Sequence, residues 1–182
     1  MKRNKRIVLL ANCLLNTNAK VYGISTVGGA SPLVSKLVEE GYGIMQLPCM
    51  EMTMFGTRRW GIVYEQCDFP EFRKRCREVL EPLILQVKDF YQHGYEISAV
   101  IGVDGSPNCA VNVTCSGDWG GELSGSMDYN DRIQAVKESN KRGVMMEELK
   151  AMLEEAGVQV PYCAVDENDM SSFEDISDIL FY

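Results

Sequence analysis

The sequence predicts a single α/β domain over residues 1–182, a three-layer fold whose mainly parallel sheet is flanked by helices. Three features predict it. Apolar runs at Ile7-Val8-Leu9-Leu10-Ala11, Gly43-Ile44-Met45-Gln46-Leu47 and Ile97 to Val103 have the uncharged composition of strands covered on both faces. Segments of helical spacing lie between them, and strand, helix and strand in series make a parallel pair joined by a right-handed crossover. Each run also leads into a cysteine, so that Cys13, Cys49 and Cys109 follow the three strands in turn.

The bulk numbers narrow the class. A chain of 182 residues with 46% apolar content suits one folded domain of ordinary size, and neither a repeat nor an interior linker marks a second one. Its formal charge is −8, and Lys and Arg form no stripe. A nucleic-acid scaffold is disfavoured, thiolated tRNA included, because phosphate neutralisation needs clustered cations. The basic start, Met1 to Arg6, reads as a solvated terminus. The apolar run after it is too short for a signal peptide and no run is long enough to span a membrane, so a cytoplasmic protein without membrane association is expected. In a reducing compartment seven cysteines point to metal binding or catalysis, since an odd count cannot pair completely within one chain. The lack of any CxxC removes thioredoxin-like, zinc-ribbon and ferredoxin-type signatures. Nothing in the pattern sets an oligomeric state.

Taken in order, Leu14 to Lys20 leads from Cys13 into a glycine-rich connection through Gly28-Gly29. Ser31 and Pro32 then start a helix whose apolar face is Leu33, Val34, Leu37 and Val38, closed by Gly41. Past Cys49, the stretch from Glu51 to Gly61 has no clear period; its Arg58, Arg59 and Trp60 suit an anion-binding or stacking pocket. Asp68 with Glu71 three residues on predicts a capping box at the head of a long helix. Phe72, Cys76, Val79, Leu80, Leu83, Val87, Phe90 and Tyr91 form its inner stripe, which places Cys76 in the core, and Pro82 should kink it. His93, the single histidine, stands with Gly94 at the helix end, where its charged form suits the dipole. Beyond Cys109, the glycine-rich stretch from Thr114 to Met127 predicts a lid or binding loop carrying Trp119. A last helix uses Met145, Leu149, Met152 and Leu153, ends at Gly157 and leads into a fourth strand from Val158 to Tyr162, with Cys163 just after it. The acidic tail, about 166–182, reads as a solvated end.

The carboxyl ends of parallel strands form one rim, so Cys13, Cys49 and Cys109 are expected to converge there. Free cysteine is also a good small hydrophobe, and Cys115 and Cys163 compete as ligands. Three converging thiolates suit zinc or an iron-sulfur centre. Catalytic zinc leans on His and carboxylate, and His93 is badly placed for it. Three cysteines on a four-iron cluster would leave one iron without a protein ligand, which suits substrate chemistry better than electron transfer.

Cys13-Leu14-Leu15, Cys49-Met50-Glu51 and Ser106-Pro107-Asn108-Cys109, in that order from about residue 7 to 115 and more loosely to the strand near 160, together resemble the thiouracil desulfidase family. The resemblance implies a [4Fe-4S] cluster held by Cys13, Cys49 and Cys109, with one iron not ligated by protein. It implies removal of sulfur from a thiolated pyrimidine base or nucleotide, released as sulfide without net redox change, with Glu51 and Ser106 as the acid and the serine beside the cluster. Iron-sulfur assembly machinery is then an expected partner. Two positions depart from the family. Met50 stands where proline usually follows the second cysteine, with Pro48 on the other side, which bears on the turn and on the reach of Glu51. Ala110 stands where glycine commonly follows the third, which matters if a positive φ is needed. Glu51 also reads as a solvent-facing or helix N-terminal acid, and Ser106 as a turn residue. Two other functions compete: a non-catalytic iron-sulfur or sulfide-carrying protein, and a metal-free domain that binds a small ligand through the Arg58 and Trp60 region.

Overall fold

The computed structural model describes residues 3–122 and 128–167, with Ser172, Ile176, Ile179 and Leu180. The chain forms β1 (Arg6–Leu10), α1 (Asn12–Leu15), a 3-10 turn (Thr17–Ala19), α2 (Pro32–Glu39), β2 (Gly43–Gln46), α3 (Met50–Phe55) and a second 3-10 turn (Tyr64–Gln66). There follow α4 (Pro70–Gln92), β3 (Glu96–Val103), β4 (Thr114–Ser116), α5 (Tyr129–Ala135), β5 (Lys137–Ser139), α6 (Val144–Glu155) and β6 (Tyr162–Val165). The main sheet has the order β2-β1-β3-β6 with every neighbouring pair parallel, as the α/β reading requires. A separate two-stranded antiparallel ribbon, β4 with β5, was not foreseen.

Uniform apolarity explains the centre of the sheet. Val8, Leu9 and Leu10 are fully buried and so is nearly all of β3, which means that helices cover both faces. The register slips once between β1 and β3: Ile7 faces Ile97 but Val8 faces Ala99, and the extra residue, Ser98, donates its hydroxyl to Glu96 at 2.7 Å. The helices that feed the sheet share one ending. After α6, Gly157 takes φ +73°, its N–H reaches Glu154 O at 3.0 Å and that of Val158 reaches Leu153 O at 2.9 Å. This pair of bonds needs a residue tolerant of the left-handed region. Gly41 after α2 and Gly94 after α4 repeat it, and His93 is the last residue before that turn, as expected. Helix α4, which buries Phe72, Cys76 and Leu80, packs on α6, and Arg73 ties the pair with bonds to Glu147 (2.7 Å) and Glu148 (2.8 Å).

Several expectations are corrected. Helix α4 starts at Pro70 with Phe69 as its cap, because proline is suited to the first helical position. Asp68 therefore lies one residue too early to cap it and instead accepts from Arg73 Nε at 2.8 Å, while Glu71 stays exposed. On α2, Leu33 and Leu37 are buried but Val38 faces solvent. Strand β6 begins at Tyr162, where the expected strand ended. Pro161 has no N–H for the ladder and contributes only its carbonyl, which accepts from Val100 at 2.9 Å. Cys163 thus sits inside the strand, opposite Ile101.

Met1 and Lys2 lie outside the described residues; Arg3, Asn4 and Lys5 are exposed, as a solvated start requires, while Arg3 donates to Tyr95 Oη at 2.8 Å and Arg6 to Glu40 O at 2.7 Å. Most of the acidic tail lies outside the described residues; Ile176 and Leu180 within it are buried, and the Tyr42 hydroxyl donates to Leu180 O. Among the described residues no helix is long and apolar enough to cross a membrane.

Candidate functional site

The segment carrying Cys109 folds back on the strand it leaves. Val103 N–H bonds Cys109 O at 3.0 Å, and the Asp104 carboxylate accepts the N–H groups of Val111 and Asn112, both at 2.9 Å. The Ser106 hydroxyl oxygen accepts from Asn108 N (3.2 Å) and Cys109 N (3.0 Å), a turn role that precedes any catalytic one. This return is possible because residue 102 is glycine: a Cβ there would stand 2.2 Å from Cys109 O. On the other side a Cβ at Gly143 would stand 2.4 Å from the carbonyl carbon of Asn108. Helix α6 has no side-chain cap, and the cysteine loop supplies one from its backbone. Pro107 O accepts from Val144 (2.9 Å), Asn108 O from Met146 (3.0 Å) and Ala110 O from Gly143 (3.0 Å). Ala110 keeps an ordinary negative φ, so its departure from glycine costs no backbone strain.

Cys49 is the N-cap of α3, its sulfur accepting from Met52 N at 3.5 Å. Met50 takes the first helical position, where proline would also be at home, so this departure leaves the helix start intact. The next residue, Glu51, receives Arg59 Nε at 3.1 Å and, across a long 3.4 Å, the Ser106 hydroxyl. Arg59 is held in turn by Gly56 O (3.2 Å) and Ala19 O (2.7 Å). Cys13 lies in the first turn after β1, joined to the sheet through the Ala11 N–H on Ile101 O at 3.0 Å.

Cys13, Cys49, Cys109, Glu51 and Ser106 all line one cavity of about 420 Å³, walled by residues that follow β1, β2, β3 and β6. Lys20, Arg59, Cys115 and Glu167 line it too. Arg58 and Trp60 are exposed and do not, so of that trio only Arg59 belongs to the site. Cys163 is likewise absent from it, which leaves Cys115 as the one rival thiol of the two. The expected lid is a fixed wall over its described part. Trp119 Nε1 donates to Gly61 O at 2.8 Å, Gly117 N to Glu65 at 2.9 Å and Cys115 Sγ to Ile62 O at 3.4 Å; residues 123–127 lie outside the described residues.

The uncharacterized protein MJ0003 of Methanocaldococcus jannaschii is 34% identical over 110 residues, 60% of this chain and 70% of the archaeal one. The chain belongs to that protein's family. Membership brings no activity with it, because the archaeal relative is itself uncharacterized. No family model matches the chain, and no solved structure does.

In this member of the family the thiols are held in their neutral form. Burial pushes the Cys109 thiol well up, and the neighbouring Cys13, Cys49 and Glu51 add to it. Burial also takes Cys13 to about 12, with Lys20 pulling the other way, and Cys115 to about 11. Cys49 is raised by burial and relieved by the Met52 N–H and by Arg59. Three thiolates can share this cavity only with positive charge among them, so the donor set fits a group that brings such charge to three sulfurs. Among the described residues no group of three or more His, Cys, Asp or Glu is placed to hold a single metal ion.

Sequence reasoning missed Lys20 and Glu167 as cavity residues. Their contact spans 147 positions, and each taken alone reads as a solvated charge.

Proposed function

We propose that this protein is a desulfidase that removes sulfur from a small thiolated pyrimidine base or nucleotide of the 2-thiouracil kind. What supports the reading is the meeting of three strand-end cysteines in one cavity with Glu51 and Ser106. Cys13, Cys49 and Cys109 would hold a [4Fe-4S] cluster which, when bound, supplies a Lewis-acidic iron for the thiocarbonyl sulfur. Water provides the oxygen that replaces sulfur at the ring carbon. The products are the oxo base and hydrogen sulfide, so atoms balance and no electrons are exchanged.

Glu51 takes the proton from the attacking water and passes it to the ring or to the departing sulfur. Arg59, at 3.1 Å, fixes the direction of that carboxylate. Ser106, whose oxygen is already pinned by two backbone N–H groups, keeps its hydroxyl on the Glu51 side, where it holds the substrate or orders the water. The cavity is of a size that encloses a small ring compound. The reading places the protein in the cytoplasm, where thiols stay reduced, and makes iron-sulfur assembly machinery its partner.

Anaerobic reconstitution with iron and sulfide should give the broad visible absorption of a thiolate-ligated cluster, and the loaded protein should convert 2-thiouracil to uracil and sulfide. Cys109→Ser should lose both. Absorption without product would favour the sulfide-carrying reading, and a cluster that survives in Cys109→Ser would reject the ligand set.

A further inference from the structure

Lys20 is a buried charge for which the proposed reaction has no use. Its side chain is 4% exposed, it lines the cavity beside Cys13, and its ion-pair partner is Glu167, which follows β6 and lines the same cavity. Taking an ammonium out of water costs several kcal/mol, and a pair needed only to tie two segments would serve at the surface without that cost. Arg59, also 4% exposed, lines the same cavity and is paired with Glu51. The two cations divide the sulfurs between them: Lys20 acts on Cys13 and Arg59 on Cys49.

We propose that Lys20 is a positioning residue for the iron-sulfur centre, setting a counter-charge on the Cys13 side of the cavity while Glu167 holds and partly offsets it. The assignment rests on the desulfidase reading for the presence of a cluster. An iron-sulfur centre bound by three thiolates is an anionic body, and a fixed positive charge nearby favours the form carrying one more electron. Removing the charge makes reduction harder; removing the opposing carboxylate makes it easier.

The test is a dye-mediated redox titration of the anaerobically loaded protein, followed by the visible band. Lys20→Met should lower the equilibrium constant for one-electron reduction about tenfold, a shift of about 59 mV to more negative potential. Glu167→Gln should move it the opposite way, and Lys20→Arg should restore the native value. Both neutralising substitutions break the same ion pair, so a purely structural role predicts shifts of one sign or none, and that result overturns the assignment. The double variant Lys20→Met/Glu167→Gln leaves no unpaired buried charge and guards against misfolding of the single one; it should fall between the two single variants. If the native chain loads no cluster, the desulfidase reading fails and this assignment with it. If it loads but ignores Lys20→Met, the assignment alone fails.

Discussion

Two stretches that leave neighbouring strands to line the cavity are built in opposite ways. Residues 104–112, after β3, are clamped: Gly102 lets Cys109 O approach, Gly143 admits Asn108, Asp104 gathers two backbone N–H groups and α6 rests on three loop carbonyls. Residues 22–30, beyond Cys13 and β1, stand largely in the open. Tyr22 is 97% exposed, and Gly23, Gly28 and Gly29 have no atom within reach of an added Cβ. That segment is tied mainly at its ends, by Lys20 on Glu167 and by Thr17 N and Oγ1 on Gly29 O at 2.8 and 3.1 Å. Yet Val21, Ile24 and Thr26 line the same cavity. Order here follows bonds made to other elements rather than position at a strand end, and the open side is where local opening costs least.

The cysteine ahead of the open stretch, Cys13, is half-buried and that of the clamped one, Cys109, is buried; desolvation of such thiols carries the largest expected effect. An unfolded thiol ionises near 9, whereas burial holds Cys13 at about 12. Because the folded state keeps its protons longer, stability is whole below pH 9 and falls as pH rises from there towards 12. Cys13 alone accounts for about 4 kcal/mol over that window. Urea unfolding of the reduced, cluster-free chain at stepped alkaline pH should show the decline, and a flat profile would contradict burial of this thiol.

The contrast between the stretches is tested by substitutions. Gly102→Ala should cost about 3 kcal/mol in urea unfolding, because its Cβ meets backbone that is bonded on every side. Asp104→Ala should cost about 2 kcal/mol, since it leaves the Val111 and Asn112 N–H groups without their charged acceptor. Ser106→Ala should cost about 1 kcal/mol through the lost turn bonds and, under the proposed function, slow sulfide release by much more than it weakens cluster absorption. Gly28→Ala, in the open stretch, should stay within about 0.5 kcal/mol of the native protein. If Gly28→Ala and Gly102→Ala cost the same, the contrast is wrong.

The parts legible in the sequence are those set by uniform local pattern. Runs such as Ile7 to Ala11 announced buried parallel strands, and parallel strands share one C-terminal rim, so Cys13, Cys49 and Cys109 were expected at one place and do line one cavity; Glu51 and Ser106, which line it too, were singled out only through the family resemblance. Boundaries failed where a single proline decided them: Pro70 set the start of α4 over the acid pattern at Asp68, and Pro161 delayed β6. The β4–β5 ribbon escaped because its strands have three residues each and pair across a long separation. Arg59 was singled out with its neighbours, but in an aperiodic stretch nothing local says which of three adjacent side chains turns inward.

The dependence of α6 on the loop carbonyls sets an order of events during synthesis. Residues 143–146 leave the ribosome after Cys109, yet they complete the frame that seats it. A nascent chain stopped just past residue 109 would therefore hold the Cys109 loop without its frame, and under the proposed function cluster loading would await α6.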